Sequence, residues 1–564
     1  MRHIPTLLSV LALVTVHGQP FSWQWAQVAT STLSTPDVQG FATDADGNTY
    51  ITGQFYGTAT FGALAPITSL GQSDVFVVKY NTLGIAQWAV RAGGTDFDNA
   101  FDLAIDGNGG VYITGSFQSS TAGFGGTTLT RTGTMDIFVA KLGAADGLFA
   151  WANRYGSNDF QADHVEWGRA IACDANGDVY VTGCFRYTLD VPGLPQLQGC
   201  SQYYNSFLLK LDPDGTGIWS RRPDCGHQWT YSASEGQVLT VGDDGMLYAG
   251  LRVRGDMLFA ESDTLLNQTT SGATHDGVVI KYDPDGTPQW TRAIGGYGYD
   301  DVQALQADAD GHLYVAMHRE GSYSNLGIPG IDVSGTLGIY RNVILKYDAY
   351  GHLLWGTRIG NSTYDHDIEA MLLESPEHLL VAGWHQGNFE IGGIVPNNGV
   401  QGSYGLYLAR FDSSSALTDV MAQRYTYPRG IRGIGRDPGG NIYIGGYFQD
   451  SLLLSGLPAM QLPSASNSAL FVARSGDFPT SVPDADGNTH VSARPMPSDG
   501  AFMITSDHAF DALEVHDLLG RLLLSTSFAP TVQRQLELDG PGIYLCTLRR
   551  AGRPVGVARL VVGR

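Results

Sequence analysis

Asp106-Gly107-Asn108-Gly109-Gly110-Val111-Tyr112-Ile113-Thr114-Gly115-Ser116-Phe117 decides how this chain is built. An acid, a glycine-rich turn and a run led by an aromatic residue together read as one β-hairpin. The phrase returns over residues 44–55, 174–185, 243–250, 308–317, 374–384 and 437–448, seven occurrences in all. Its aromatic anchor stands at Tyr50, Tyr112, Tyr180, Tyr248, Tyr314 and Tyr443, with Leu380 in the sixth place. The steps run from 62 residues (50 to 112) to 68 (112 to 180). A repeat of that length with strand content is one structural unit copied around or along an axis.

Two further anchors count the same units. A basic residue ends an apolar run at Lys79, Lys141, Lys210, Lys281, Lys346, Arg410 and Arg474. A tryptophan follows at Trp88, Trp151, Trp219, Trp290 and Trp355, with Met421 taken as the sixth. Each unit reads as four strands, which in the second cover residues 101–105, 111–117, 136–142 and 149–154. Tyr, Val, Ile, Phe and Thr fill these runs, and Gly, Asp, Asn and Pro separate them. No stretch of helical period is long enough to insert a helix. The expected fold is all-β: a seven-bladed β-propeller over residues 19–476, plus a small C-terminal β-sandwich. The seventh unit has its apolar–basic run at 469–474 but no tryptophan strand after it, while residues 23–28 carry tryptophans too early. The N-terminal strand is therefore expected to complete the last blade and remove an open sheet edge.

Residues 1–18 read as a secretory signal, with Arg2 and His3, an apolar stretch over 7–16, and a small-residue end at Val16-His17-Gly18. That stretch is too short to span a bilayer, and no other candidate span is present. The expected location is secreted or on the outer cell surface, after export to the periplasm. Fifty-five acids against 33 Lys plus Arg give a net charge of −22. This disfavours nucleic acid, which needs clustered basic residues, and anionic lipid. It suits solubility outside a cell, and such a surface can collect Ca2+ weakly. No cofactor is expected.

Cys173, Cys184, Cys200 and Cys225, four of the five cysteines, fall in the third unit. Its last two strands fold about Asp212-Pro213-Asp214-Gly215, which brings Cys200 near Cys225 as the expected disulfide; Cys173–Cys184 is the weaker pairing. With no Cys-x-x-Cys and no histidine at ligand spacing, no metal site is assigned.

After a linker over 477–490 the rhythm changes. Residues 491–564 alternate as strands with turns at Gly500, Gly520 and 540–542, an immunoglobulin-like or similar sandwich by pattern. The order Pro495-Met496-Pro497, Leu519-Gly520-Arg521, Gly542-Ile543-Tyr544-Leu545 and a terminal Arg564 resembles the type A C-terminal sorting domain of the type IX secretion system of Bacteroidetes. Pro495, Pro497, Gly520, Arg521, Gly542 and Tyr544 carry the likeness; Met496 departs from the family's usual Asn. The resemblance implies contact with the type IX machinery, export across the outer membrane, and removal of this domain followed by release or surface anchoring. The repeats resemble the bacterial SBBP β-propeller repeats, through Asp136-Ile137-Phe138-Val139-Ala140-Lys141 and Gln289-Trp290-Thr291-Arg292. That likeness implies a propeller fold and a surface location, with no single activity.

The Asp-x-Asp-Gly stretches at 44–47, 212–215, 283–286 and 308–311 are not EF-hand loops, which need glycine sixth and an acid twelfth. They read as hairpin turns, where Asp bonds the backbone and Gly takes positive φ. A second acidic set lies 13 or 14 residues before the hairpin aromatic: Asp37, Asp98, Glu166, Glu235, Asp301 and Asp367, with Arg429 and Arg432 in the seventh unit. In a propeller these acids either ring one mouth, to take cations or a polyhydroxylated ligand, or cap backbone N–H groups in their own crossing loops. Phe97, Phe160, Tyr297, Tyr299 and Tyr364 at the same crossings either stack on sugars or pack between blades. No Gly-x-Ser-x-Gly, His-Glu-x-x-His or phosphate-binding loop is present, so no catalytic residue is assigned; His366 between Asp365 and Asp367 is the nearest acid–base group. The expectation is a propeller that binds an extracellular glycan or protein partner without catalysis. Alternatives are a polysaccharide hydrolase or lyase acting at the mouth, and a structural or adhesion component of the surface.

Overall fold

A computed structural model describes the chain over residues 23–476 and 491–562, apart from 158–164, 201–202, 226–232, 266–274, 321–339, 361–365, 387–390, 392–403, 426–429, 463–467, 495–500, 518–521 and some segments of one to three residues. The expected signal (1–18) and linker (477–490) lie outside the described residues, as do Pro495, Pro497, Gly520 and Arg521. Among the described residues every regular element is a strand, and no helix is long and apolar enough to cross a membrane.

The second unit shows the plan. Asp98–Ile105, Gly110–Phe117, Asp136–Gly143 and Phe149–Tyr155 form one antiparallel sheet in chain order. Tyr112 stands opposite Lys141, and Lys141 opposite Trp151, so the three sequence anchors make one row across the sheet. The same row is Tyr50–Lys79–Trp88, Tyr180–Lys210–Trp219, Tyr248–Lys281–Trp290 and Tyr314–Lys346–Trp355. In the sixth unit the row is Leu380–Arg410–Asp419. Met421, assigned to that place by residue type, sits instead opposite Leu408, two positions along the strand.

The row staples neighbouring units. Five of the tyrosine hydroxyls donate to a carboxylate of their own turn, as Tyr112 does to Asp106 at 2.9 Å, while Tyr314 donates to the Pro376 carbonyl at 3.5 Å. The lysine ammonium lies over the tyrosine ring, 4.9 Å from its centroid at Lys141. The indole N–H then donates to a turn carbonyl of the next unit: Trp88 to Ala144 (3.1 Å), Trp151 to Pro213 (3.1 Å), Trp219 to Pro284 (3.2 Å). That turn fits beneath the indole because it carries a glycine at positive φ. A Cβ on Gly147 (φ 71°) would meet the Trp88 ring at 2.7 Å.

The N-terminal strand Trp23–Ser31 pairs antiparallel with Ala469–Ser475, placing Trp25 opposite Arg474 and completing the row Tyr443–Arg474–Trp25. Trp25 then makes the same staple as the others. Its indole donates to Thr82 of the first unit at 2.9 Å, and a Cβ on Gly84 would meet its ring at 2.7 Å. Trp23 and Trp25 are buried. The innermost strands lie side by side from Ser34–Thr43 through Asp98–Ile105, Trp167–Cys173, Ala233–Val241, Asp300–Ala307, His366–Ser375 and Ile431–Arg436, and the last lies back against the first.

Short outer hairpins, absent from the four-strand reading, add links between units. Thr58–Phe61 pairs with the N-terminal strand, and Thr121–Phe124 with Ala86–Gly93 of the preceding unit. Cys200 is disulfide-bonded, while the Cys225 side chain lies outside the described residues. The weaker pairing is corrected: Cys173 and Cys184 are free thiols. They stand opposite Val179 and Trp167, at the two ends of one hairpin and too far apart to bridge.

In the C-terminal region Val491–Arg494, Ala501–Asp517, Leu522–Glu537, Gly542–Arg550 and Arg553–Val562 join into one five-stranded antiparallel sheet. Ala501–Asp517 is its hub and pairs with three neighbours. Phe502, Phe510, Val515, Cys546 and Leu560 are buried in its core.

Candidate functional site

Every innermost strand is interrupted at the same place. The ladder slips between Val38 and Gly40, Ala100 and Asp102, Gly168 and Ala170, Gly236 and Val238, Val302 and Ala304, Ile368 and Ala370, and Ile431 and Gly433. Each slip leaves one unpaired residue: Gln39, Phe101, Arg169, Gln237, Gln303, Glu369 and Arg432. A β-bulge of this kind re-aims a side chain away from the pleat. All seven line one cavity of about 370 Å³ between the innermost strands.

The bulges also explain a glycine of the repeat phrase. Three residues after the tyrosine, Gly115 faces the backbone that the bulge pushes inward, and a Cβ there would meet the Asn99 carbonyl at 2.0 Å. Gly53, Gly183 and Gly383 meet the equivalent carbonyls of Asp37, Trp167 and Asp367 at 1.8–1.9 Å. Of the seven bulge residues the sequence reading names only Arg432; the glycine is the trace of the others in the sequence.

The six acids expected at equivalent positions occupy two faces. Asp37, Glu235, Asp301 and Asp367 stand two residues before their bulges and are half-buried at the mouth. Asp98 and Glu166 stand three before, so the period of two turns them into the sheet, where both are buried. Asp98 accepts hydrogen bonds from the Gly94 amide (2.6 Å), the Gln118 amide (3.1 Å) and the Ser119 hydroxyl (2.6 Å). Glu166 accepts from the Ser157 amide at 3.4 Å, and burial with Asp136 nearby pushes its carboxyl up to about 8. These two cap their crossing loops. A ring of six equivalent carboxylates is not what the strands build.

The four mouth carboxylates are answered locally. Arg252 lies 3.7 Å from Glu235 and reaches Asp301 of the next unit with two hydrogen bonds, 2.6 and 2.9 Å. His275 Nε2 lies 2.9 Å from the same Asp301 oxygen. Burial opposes ionisation of Asp301, but the flanking His275 and Arg252 hold its carboxyl well below the usual range. His318 Nδ1 lies 3.3 Å from Asp367; burial opposes its charge, yet Asp367 raises its pKa. Asp37 accepts from the Gln39 and Gln54 amides at 2.9 and 3.2 Å. Deeper in, Arg432 pairs with Glu369 and donates to the Tyr447 hydroxyl at 2.9 Å. Burial pushes Glu369 up to about 7, with Arg432 opposing.

The mouth is thus a ladder of alternating charge from the fourth unit to the seventh. A recess of about 350 Å³ opens beside it, lined by Phe101, Trp167, Arg169, Glu235, Gln237 and Arg252. Of the expected aromatics, Tyr299 is exposed and packs edge-on against His275 at 4.8 Å, and Phe97 is half-buried; Phe160, Tyr297, Tyr364 and Arg429 lie outside the described residues. His366 is buried in the sheet with Nε2 2.6 Å from the Ile359 carbonyl, away from the mouth. Asp308, Asp310 and His312 bring ligand atoms within 4.8 Å of one another, but Asp308 accepts the Asp310 and His312 amides as a hairpin turn does. Of the sorting-motif residues, Gly542 begins its strand, and Tyr544 stands opposite Asp517 and Leu560.

No family model matches the chain. An uncharacterized WD repeat-containing protein of Acanthamoeba polyphaga mimivirus is 20% identical over 389 residues, which is 56% of this chain and 27% of that protein. Regulatory protein FlaEY of Caulobacter vibrioides is 28% identical over 328 residues, 55% of this chain and 32% of its own length. The chain therefore spans 32% or less of these curated relatives. Among solved structures, an ulvan lyase from a new family of polysaccharide lyases aligns at 10% identity and a TM-score of 0.40, covering 74% of this chain and 93% of its own. BamB from Moraxella catarrhalis aligns at 12% and 0.33, covering 80% and 99%. The Pan2 WD40 domain of Neurospora crassa aligns at 10% and 0.35, covering 80% and 97%.

Proposed function

We propose that this chain forms a closed seven-bladed β-propeller, exported to the cell exterior, that binds a glycan or protein segment at its bulge-lined mouth without altering it chemically. The observation that carries this reading is the bulge ring. Seven equivalent residues point into one cavity, yet they are three glutamines, two arginines, a glutamate and a phenylalanine. Positions that only hold a repeat together stay alike from unit to unit, as the tyrosine and lysine rows do. A cavity lined by convergent polar groups of differing chemistry is what a specific ligand requires. The closed ring is supported by the Trp25 staple and the contact of the last innermost strand with the first.

A glycan array and a peptide library probed with the full chain test the binding. Gln39→Ala, Gln237→Ala and Gln303→Ala combined should abolish capture while leaving the unfolding midpoint in place. Capture that survives the triple variant would place the ligand elsewhere. For export, the motifs of residues 491–564 support type IX sorting. Removing those residues in a host with that machinery should trap the protein in the periplasm, and continued release would contradict it.

A second reading, hydrolysis or lysis of a polysaccharide at the same mouth, is favoured by one feature. His275 sits between the Asp301 carboxylate at 2.9 Å and the exposed Tyr299 ring. Product release from a polysaccharide that disappears in His275→Ala would establish it.

A further inference from the structure

We propose that the recess beside the third and fourth units takes the carboxylate of a hexuronate residue in an acidic polysaccharide, with Arg169 as the cation that binds it. This rests on the glycan-binding reading above and names the class of sugar.

The argument begins with three guanidinium groups at one channel. Arg252 has Asp301 and Glu235, and Arg432 has Glu369. Arg169 has no hydrogen bond or ion pair among the described residues; its contact is the face of Phe101, 5.6 Å from the ring centroid. Asp102 lines the same channel but accepts the Leu103 and Ile171 amides at 2.8 and 2.9 Å. Burial pushes that carboxyl up to about 7, so it answers Arg169 only in part. The Arg169 side chain is exposed to the channel, where Arg252 and Arg432 are the other cations. An exposed guanidinium with no acid hydrogen-bonded to it keeps its N–H donors open to an incoming anion. A carboxylate suits this place, because guanidinium binds it through two parallel hydrogen bonds.

The rest of the recess supplies what a sugar ring needs. Trp167 offers an aromatic face and is braced by Tyr204, with ring centroids 5.0 Å apart. Gln237 and Glu235 offer an amide and a carboxylate to ring hydroxyls. The volume, about 350 Å³, admits a short stretch of sugar. The chain as a whole carries −22, so it does not gather polyanions over its surface. Binding of an acidic oligosaccharide therefore reports the recess.

The test is calorimetric titration of the full chain with oligomers of galacturonate, glucuronate, mannuronate and guluronate, each alongside its methyl ester. At least one acid should bind, and its ester should bind more weakly by about tenfold or more. Arg169→Gln should lose the acid by a similar factor, Arg169→Lys should recover part of it, and neither should lower the unfolding midpoint. Acid and ester binding alike, or Arg169→Gln binding as the parent does, would overturn the inference while leaving glycan binding intact. If neither the acids nor any neutral glycan on an array binds, the glycan reading falls as well.

Discussion

The two ends of the same strands behave in opposite ways. At the turn end, a carboxylate, a tyrosine, a lysine and a tryptophan recur unit after unit and are tied by the same hydrogen bonds. At the mouth end, positions equally equivalent by register carry Gln, Phe, Arg or Glu. The lesson is that one repeat holds two kinds of position. Those that join a unit to its neighbour must match, because each is donor to the next and acceptor from the last. Those that face the shared cavity contribute to a single surface, where difference is useful.

The exceptions at the turn end follow the same logic. In the sixth unit Leu380 replaces the tyrosine, and Arg410 takes over with Glu374 (2.6 Å) and Asp419 (3.3 Å). In the fourth, the usual acid is Gly242, and Asp244 serves the Tyr248 hydroxyl (3.3 Å) and Lys281 (3.2 Å) instead. The sixth-unit contacts stay within that unit's own sheet, whereas the fourth keeps the link to its neighbour through Trp290, whose indole donates to the Ala349 carbonyl at 3.1 Å.

Removing residues 19–30 should break this contrast most severely. Two fully buried tryptophans are lost and a sheet edge opens, at a cost of about 5 kcal/mol or more. Thermal unfolding should show a broad, early transition, and an unchanged midpoint would mean the strand closes nothing. Next, Trp25→Ala and Trp88→Ala should each cost about 3–5 kcal/mol in urea unfolding, because both indoles make the same staple. A clearly smaller cost at Trp25 would show that the seventh unit is closed less firmly than the others.

At the mouth the effects shrink and become pH-dependent. Asp301→Asn should cost about 1–2 kcal/mol at neutral pH, discounted because Arg252 is 34% exposed. The folded pKa of Asp301 is depressed, so its contribution is present above about pH 4 and lost as pH falls through the folded value. The gap between parent and variant should therefore close in acid. His318 has the opposite sign: its folded pKa is raised, so its contribution is full below about pH 6.5 and lost as pH rises through the folded value. His318→Asn should cost stability at pH 6 and nothing in alkali. Smallest of all, Gln303→Ala should move stability by no more than about 0.5 kcal/mol. A larger change would make the bulge ring a structural feature.

The turn end was legible in the sequence because uniformity is what a repeat displays. Tyr112, Lys141 and Trp151 could be counted without knowing that they touch. Met421 fits the sixth place by residue type, but register decides, and Asp419 holds the place. The mouth was blurred for a related reason. Acids 13 and 14 residues before the aromatic were grouped together, and one residue of shift moves a strand side chain to the other face. Thus Asp98 and Glu166 were grouped with Asp301. The bulges break the period of two at Arg169 and its equivalents, so no alternation pattern reveals them. Only the glycine opposite, as at Gly115, records the backbone crowding they cause.

Hydrogen exchange of the full chain tests the central claim, a ring closed by its own N-terminal strand. The amides of Trp23–Ser31 should be as slow as those of Ala469–Ser475 and of the matching outer strand Phe149–Tyr155, and all should open together as denaturant is added. Exchange of Trp23–Ser31 at the rate of a frayed terminus, with Ala469–Ser475 protected on its own, would contradict the account.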